Sequence, residues 1–226
     1  MGNPRSDLSV CRMTGVLLAL ASLGLASCSL EGTLDVPGEL NRFDPVSSYP
    51  AVAAAAGPGA HLVKLEARFV REDGTQDLEA SYIGHSAVNT YRFLRPSGKR
   101  EDPSVPIGAR APVAPFELVE VTIQKPHYVS QSINGQEPQK KKHRGMALGV
   151  RSSADSKDSI AAPGCSFTKL WAVAKQHRAP AGSVAAITYD ASGYELRIDG
   201  TDVLLRFDGS CGLRTEGKRP GEKPPG

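Results

Sequence analysis

The strongest constraint on the fold is a period of two that returns along the chain between breaks rich in glycine and proline. Val63, Leu65, Ala67 and Phe69 alternate with Lys64, Glu66, Arg68 and Val70, which predicts a strand with one apolar and one mostly charged face. Glu72-Asp73-Gly74-Thr75 supplies an Asp-Gly hairpin signal. Leu78, Ala80 and Tyr82 continue the alternation on an expected return strand, and Tyr91 and Phe93 share a face of a third run, Ala87 to Leu94. Five prolines between Arg95 and Pro115 exclude a central strand there, because proline cannot donate to a ladder. Phe116 to Lys125 resumes the period, with Val119, Val121 and Ile123 on one face and Phe116 and Leu118 on the other. Tyr128 to Ile133 extends this strand before Asn134-Gly135 turns the chain. Near the C-terminus, Ala185-Ile187-Tyr189, Tyr194-Leu196-Ile198 and Val203-Leu205-Phe207 define three more strands, joined by turns at Ser192-Gly193 and Asp199-Gly200. A chain patterned in this way is expected to be α+β, with antiparallel sheet and short helices.

Two helices fit the remaining apolar stretches. Pro45 to Ala56 accommodates a short one, ended by Gly57-Pro58-Gly59. Phe167, Leu170, Trp171 and Ala174 fall at i, i+3, i+4 and i+7, the stripe of an amphipathic helix, with Ser166 as its N-cap. Each half of the chain therefore runs from a helix into three strands, and Tyr91-Arg92-Phe93 matches Leu205-Arg206-Phe207 on the last strand of each. The order predicts two degenerate repeats, a first α+β half over 45–133 and a second over 165–214. Between them, 134–164 is a basic loop and linker, and 215–226 is a disordered tail of Pro, Gly and charge.

The N-terminus reads as an address. Arg5 and Arg12 give a positive region, Val16 to Leu25 an apolar core and Ala26-Ser27 a small-residue cleavage site, the three parts of an export signal. The apolar run is too short to span a bilayer as a permanent helix. At its end, Leu25-Ala26-Ser27-Cys28 resembles the lipobox of bacterial lipoproteins. The resemblance implies that residues 1–27 are removed, that the Cys28 thiol takes a diacylglycerol, and that the protein is held at the cell envelope by its acyl chains. In lipoproteins of two-membrane bacteria an Asp just after the cysteine is associated with inner-membrane retention. Here that position is Ser29, so the outer membrane is expected, facing the periplasm or the surface. An ordinary secretory peptide cleaved near Ala26 is the alternative, and it leaves Cys28 as an unpaired thiol. The polar segment 29–44 is expected to tether the body to the membrane.

Cysteine position carries a second expectation. Cys11 leaves with the signal and Cys28 takes lipid, so Cys165 and Cys211 remain to bond each other in an oxidising compartment. A metal site at these two thiols lacks partners at ligand spacing: His177 is the one histidine between them, and no Cys-x-x-Cys occurs.

No catalytic or cofactor signature stands out. Gly84-His85-Ser86-Ala87-Val88 begins like a nucleophile elbow, but Val88 replaces the closing glycine and the stretch joins two strands. His-Glu-x-x-His, phosphate-loop and Gly-x-Gly-x-x-Gly patterns are missing from the sequence. His61, His85, His127, His143 and His177 fall in different elements and read as exposed polar residues. Tyr82, Tyr91, Tyr128, Tyr189, Tyr194 and Trp171 read as core, and any of them on the open side of a sheet is where a binding surface is sought.

A formal net charge of +3 excludes the concentrated basic character of a nucleic-acid binder. Lys140-Lys141-Lys142-His143-Arg144 is the one dense charge block. It reads as a solvated loop or, with Lys140, Lys141, Lys142 and Arg144 as the contacts, as a site for an anionic membrane surface.

The helix followed by a three-stranded meander is similar to the α+β unit of PepSY-type domains and, more loosely, to tandem-repeat inhibitor proteins of bacterial envelopes. The likeness lies in element order and carries no functional residues across. The functional expectation is a lipid-anchored, non-catalytic binding module of the envelope with an envelope protein as partner and no cofactor. An inhibitor of an exported enzyme and an envelope hydrolase assembled from distant residues are the alternatives.

Overall fold

The structure is a computed structural model, and it describes residues 29–82, 84–98, 104, 113–131, 139–153 and 158–214. The expected signal segment, Cys28, the Asn134-Gly135 turn and the C-terminal tail lie outside the described residues.

The strands are β1 (Ser29–Asp35), β2 (His61–Val70), β3 (Ser81–Tyr82), β4 (His85–Ser86), β5 (Val88–Pro96), β6 (Phe116–Gln124), β7 (His127–Gln131), β8 (Gln139–His143), β9 (Gly145–Ser153), β10 (Ala185–Asp190), β11 (Gly193–Ile198) and β12 (Leu204–Phe207). The helices are α1 (Tyr49–Ala56), before β2, and α2 (Phe167–Gln176), before β10. Eight strands form one antiparallel sheet in the order β1-β9-β6-β5-β2-β10-β11-β12, while β3–β4 and β7–β8 are separate two-stranded ribbons. The mostly antiparallel α+β class expected from the period is observed.

One face of the sheet is sealed. Val52 and Ala56 of α1 and Phe167, Leu170, Trp171 and Ala174 of α2 lie in a single core with Leu62, Leu65, Tyr91, Phe93, Val119, Val121, Ile187, Tyr194, Leu196 and Phe207. Both halves of the chain feed this core. The buried Tyr91 hydroxyl donates to the Pro45 carbonyl at 2.7 Å, pinning the segment that enters α1 to the centre of the sheet. At the far edge, Cys165 and Cys211 are bonded with Cα atoms 5.6 Å apart, tying the start of α2 to the chain leaving β12.

Several expectations change at this level. Segment 29–44, expected as a tether, belongs to the fold: Ser29–Asp35 pairs with β9, and Phe43 is fully buried and bridges Gln76 through both backbone bonds. Burial of Phe43, with Val36 and Leu40 packed beside it, outweighs the polar composition of the stretch. The Asp73-Gly74 turn forms, with Arg71 N–H donating to Thr75 O at 2.8 Å, but the residues directly after it make no return strand beside β2. Gln76 is taken by Phe43, and Leu78 N–H donates to Leu40 O, so the chain leaves the sheet and β5 becomes the neighbour of β2. Residues 128–131 do not extend β6, and the rest of the expected extension, to Ile133, lies outside the described residues. Pro126 lacks the N–H a ladder needs, and the chain turns there into the β7–β8 ribbon. Lys140 to His143, read as a loop, is strand β8.

Bulges correct the reading of β2. Leu62 pairs with Phe93 and Lys64 with Arg92, so Val63 is an extra residue, and both Val63 and Lys64 turn to the uncovered face. A second shift opposite β10 holds Phe69 at φ 62°, stacks its ring on Tyr82 at 4.7 Å and returns Val70 to the core. The inward set is therefore Leu62, Leu65, Ala67 and Val70, where strict alternation expected Val63, Leu65, Ala67 and Phe69.

The halves meet in the sheet. β2-β5-β6, interrupted in the chain by the β3–β4 ribbon, and β10-β11-β12 each form antiparallel neighbours preceded by a helix, and their first strands, β2 and β10, pair antiparallel. In this arrangement Tyr91-Arg92-Phe93 lies on the second strand of its meander and Leu205-Arg206-Phe207 on the third, so these two triplets are not equivalent positions.

Candidate functional site

The uncovered face of the sheet carries the candidate site. Because side chains alternate across a strand, the residues between the core positions all project here: Glu120 on β6, Arg92 on β5, Lys64 and Glu66 on β2, Glu195 on β11 and Arg206 on β12. They form a ladder of opposite charges across neighbouring strands. Arg92 reaches Glu120 at 2.9 Å and Glu66 at 3.1 Å, Lys64 reaches Glu66 at 3.0 Å, and Arg206 reaches Glu195 at 3.0 Å. The hydrogen bond that Arg92 donates to Glu120, together with the charge of Glu66, holds the Arg92 guanidinium above its ordinary pKa despite partial desolvation.

Within this face lies an open groove of about 630 Å³. Its apolar floor is Val63 and Leu118, which cluster with Leu94 and Phe116 apart from the main core. The rest of its lining is Lys64, Arg92, Arg151, Asp158, Asp190, Ala191 and Ser192. Asp190 accepts hydrogen bonds from the Ser192 N–H at 2.8 Å and hydroxyl at 2.6 Å, so the β10–β11 turn is a fixed wall. Arg151 has no ion-pair partner among the described residues and faces the groove with its charge unspent. A smaller depression of about 160 Å³ shares Leu118 and Arg151 and runs on over Gly149, whose missing side chain leaves β9 low at this point. The crossover from β9 toward α2 closes the end: Asp158 lines the groove, and two residues later Ile160 N–H donates to Leu62 O at 2.8 Å and packs into the main core. An aliphatic strip bordered by separated cations and carboxylates suits an extended partner with both apolar and charged groups, as a polypeptide has.

The residues singled out from sequence are placed as follows. Cys165 and Cys211 are joined, whereas Cys28 lies outside the described residues. Lys140, Lys141 and Lys142 are exposed on β8. Arg144 pairs with Asp35 of β1, a bond that holds the Asp35 carboxyl below the usual carboxylate range. The histidines do not converge on one centre. His61 and His85 are exposed on β2 and β4, and His177 caps α2. His143, expected to be exposed, is 7% exposed, because its ring stacks on His127 at 4.6 Å across the base of the ribbon and its Nδ1 accepts the Gly145 N–H at 3.1 Å. Gly84-His85-Ser86 lies at the tight β3–β4 ribbon and joins no helix. Tyr91, Tyr194 and Trp171 are core residues, as read, while Tyr128 is 68% exposed. Among the described residues no group of three His, Cys, Asp or Glu side chains could hold a metal ion.

Sequence reasoning missed the groove. Its floor depends on the Val63 bulge, and Asp158 and Asp190 come from segments far from β2 in the chain. The one available signal was Leu118, which already stood opposite Val119 and Val121 in the period of β6.

No protein-family model matches the chain, and no curated protein and no solved structure is similar to it at a significant level.

Proposed function

We propose that the chain is a lipid-anchored, non-catalytic binding protein of the cell envelope, and that the groove on the uncovered face of its sheet receives an extended segment of a protein partner. The anchor is Cys28, by its resemblance to the lipobox cysteine, and Ser29 after it favours the outer membrane. A disulfide between Cys165 and Cys211 suits an oxidising compartment. The groove is the observation that carries the binding role: an apolar floor of Val63 and Leu118 lies beside Lys64, Arg92 and Arg151 on the sheet face opposite α1 and α2.

The experiment is a crosslinked pulldown from intact cells with a photoreactive residue at exposed Ala191, compared with Arg151→Glu and Cys28→Ala forms. A partner captured by the parent chain and lost with Arg151→Glu supports the groove, and one captured equally by both refutes it. Rapid hydrolysis of an envelope substrate by the purified protein refutes the non-catalytic role. Acylation is read from the mass of the N-terminal peptide.

A second reading is favoured by the topology. Two helix-plus-meander halves joined through β2 and β10 follow from duplication of one unit, and they are similar in element order to tandem-repeat inhibitors. In this reading the partner is an exported enzyme, and the captured protein loses activity when the chain is added.

A further inference from the structure

The β7–β8 ribbon stands apart from the sheet and has its own chemistry. Its register pairs Tyr128 with Lys142, Ser130 with Lys140, Val129 with Lys141 and His127 with His143. By strand alternation Tyr128, Ser130, Lys140 and Lys142 therefore share one face. The Tyr128 ring is 68% exposed, and all three lysines are exposed with no ion-pair partner among the described residues. A tyrosine beside flexible cations is the composition that settles at the headgroup level of a bilayer, with the ring at the interface and the ammonium groups on phosphate.

An independent observation places more apolar surface at the same corner. Leu34 of β1 is 37% exposed, and it pairs with Met146, close in sequence to the end of β8. β1 also lies against β8, and Asp35 next to Leu34 is neutralised by Arg144. Exposed leucine, exposed tyrosine and unpaired lysines thus gather at one edge of the molecule, on the strand that begins at Ser29, directly after Cys28.

We infer that the ribbon face formed by Tyr128, Lys140 and Lys142, with Leu34 beside it, docks on an anionic lipid headgroup surface. The choice of a membrane as partner rests on the anchor reading above. Each lysine near an anionic surface contributes about a fivefold bias, so Lys140 and Lys142 together favour anionic over zwitterionic lipid by roughly twenty-five-fold.

The test uses the full purified chain mixed with vesicles of phosphatidylcholine alone or of phosphatidylcholine with phosphatidylglycerol, and it reads amine labelling lysine by lysine by mass spectrometry. Labelling of Lys140 and Lys142 is expected to fall severalfold on the anionic vesicles and recover in high salt, while Lys141 on the other face of the ribbon falls less and Lys169 and Lys175 on α2 keep their labelling. Replacing Lys140 and Lys142 by glutamine should abolish the preference of the body for anionic vesicles without moving its thermal midpoint. Equal labelling on both vesicle types overturns the inference. Protection by soluble polyglutamate but not by anionic vesicles also overturns it, in favour of an acidic protein. The state of Cys28 is read separately from the mass of its peptide, so an unacylated cysteine sinks the anchor reading while the labelling ratio still decides the docking edge.

Discussion

The two faces of the sheet are built from the same strands and do opposite work. On the covered face the side chains are apolar with few exceptions and are sealed under α1 and α2, so their contribution is area removed from water. On the uncovered face charged residues pair across strands in partial solvent, beside a groove floored by Val63 and Leu118. Stability should therefore respond strongly to changes on one face and weakly on the other, while binding should respond in the reverse order.

The largest effect is expected at Trp171, which is fully buried where α2 meets the sheet. Trp171→Ala should cost about 3–5 kcal/mol in urea unfolding, from lost burial and the cavity left behind. A cost below about 1 kcal/mol would show that α2 does not seal this face as the structure has it. Next is the bond between Cys165 and Cys211. It closes a separation of 46 residues at the rim of the covered face, and replacing both cysteines by alanine should lower stability by about 2–4 kcal/mol. An unchanged denaturation midpoint after reduction would break the assignment of the bond as a structural staple.

A third change should act in the opposite direction. Asn89 is fully buried on the covered side of β5, and neither atom of its side-chain amide has a hydrogen-bond partner among the described residues. Asn89→Leu, close in volume, should raise stability by about 1–2 kcal/mol, because a buried amide without partners carries its desolvation cost uncompensated. A destabilised variant would show that the amide meets a partner such as an internal water.

How much of this was legible follows the same division. The covered face was readable because burial selects residue type at a fixed period: Phe167, Leu170, Trp171 and Ala174 announced the inner stripe of α2, and Val119, Val121 and Ile123 the inner face of β6. The period failed where the backbone adds a residue. The bulge at Val63 reverses the strand's facing without any glycine or proline to mark it, and Phe69 adopts its left-handed φ without a signal in residue type. Polar composition also misled at 29–44, where an edge strand needs backbone partners more than apolar side chains and Phe43 alone supplies much of the burial. The groove was illegible for a further reason. It is made by three parts of the chain that only the crossover from β9 to α2 brings together, and local pattern holds no information about that meeting.

The smallest stability effect is expected at the centre of the charge ladder, and it is the sharpest test of the contrast. Glu66 bonds Lys64 at 3.0 Å and Arg92 at 3.1 Å, with all three side chains about one-third exposed. Exposed pairs of this kind contribute little, since solvent screens the attraction and ordering long side chains opposes it. Glu66→Gln should therefore shift stability by less than about 0.5 kcal/mol, and Arg92 keeps its hydrogen bond to Glu120. The same change frees the Lys64 ammonium and one side of the Arg92 guanidinium at the groove wall, which makes the groove more cationic. Affinity for a captured partner segment should then rise if acidic side chains of that segment meet this wall, and fall if basic ones do. A variant that loses 2 kcal/mol or more of stability, roughly the scale of a buried core change, would mean that the ladder and not the helix-covered core holds the sheet, and the contrast between the two faces would fail.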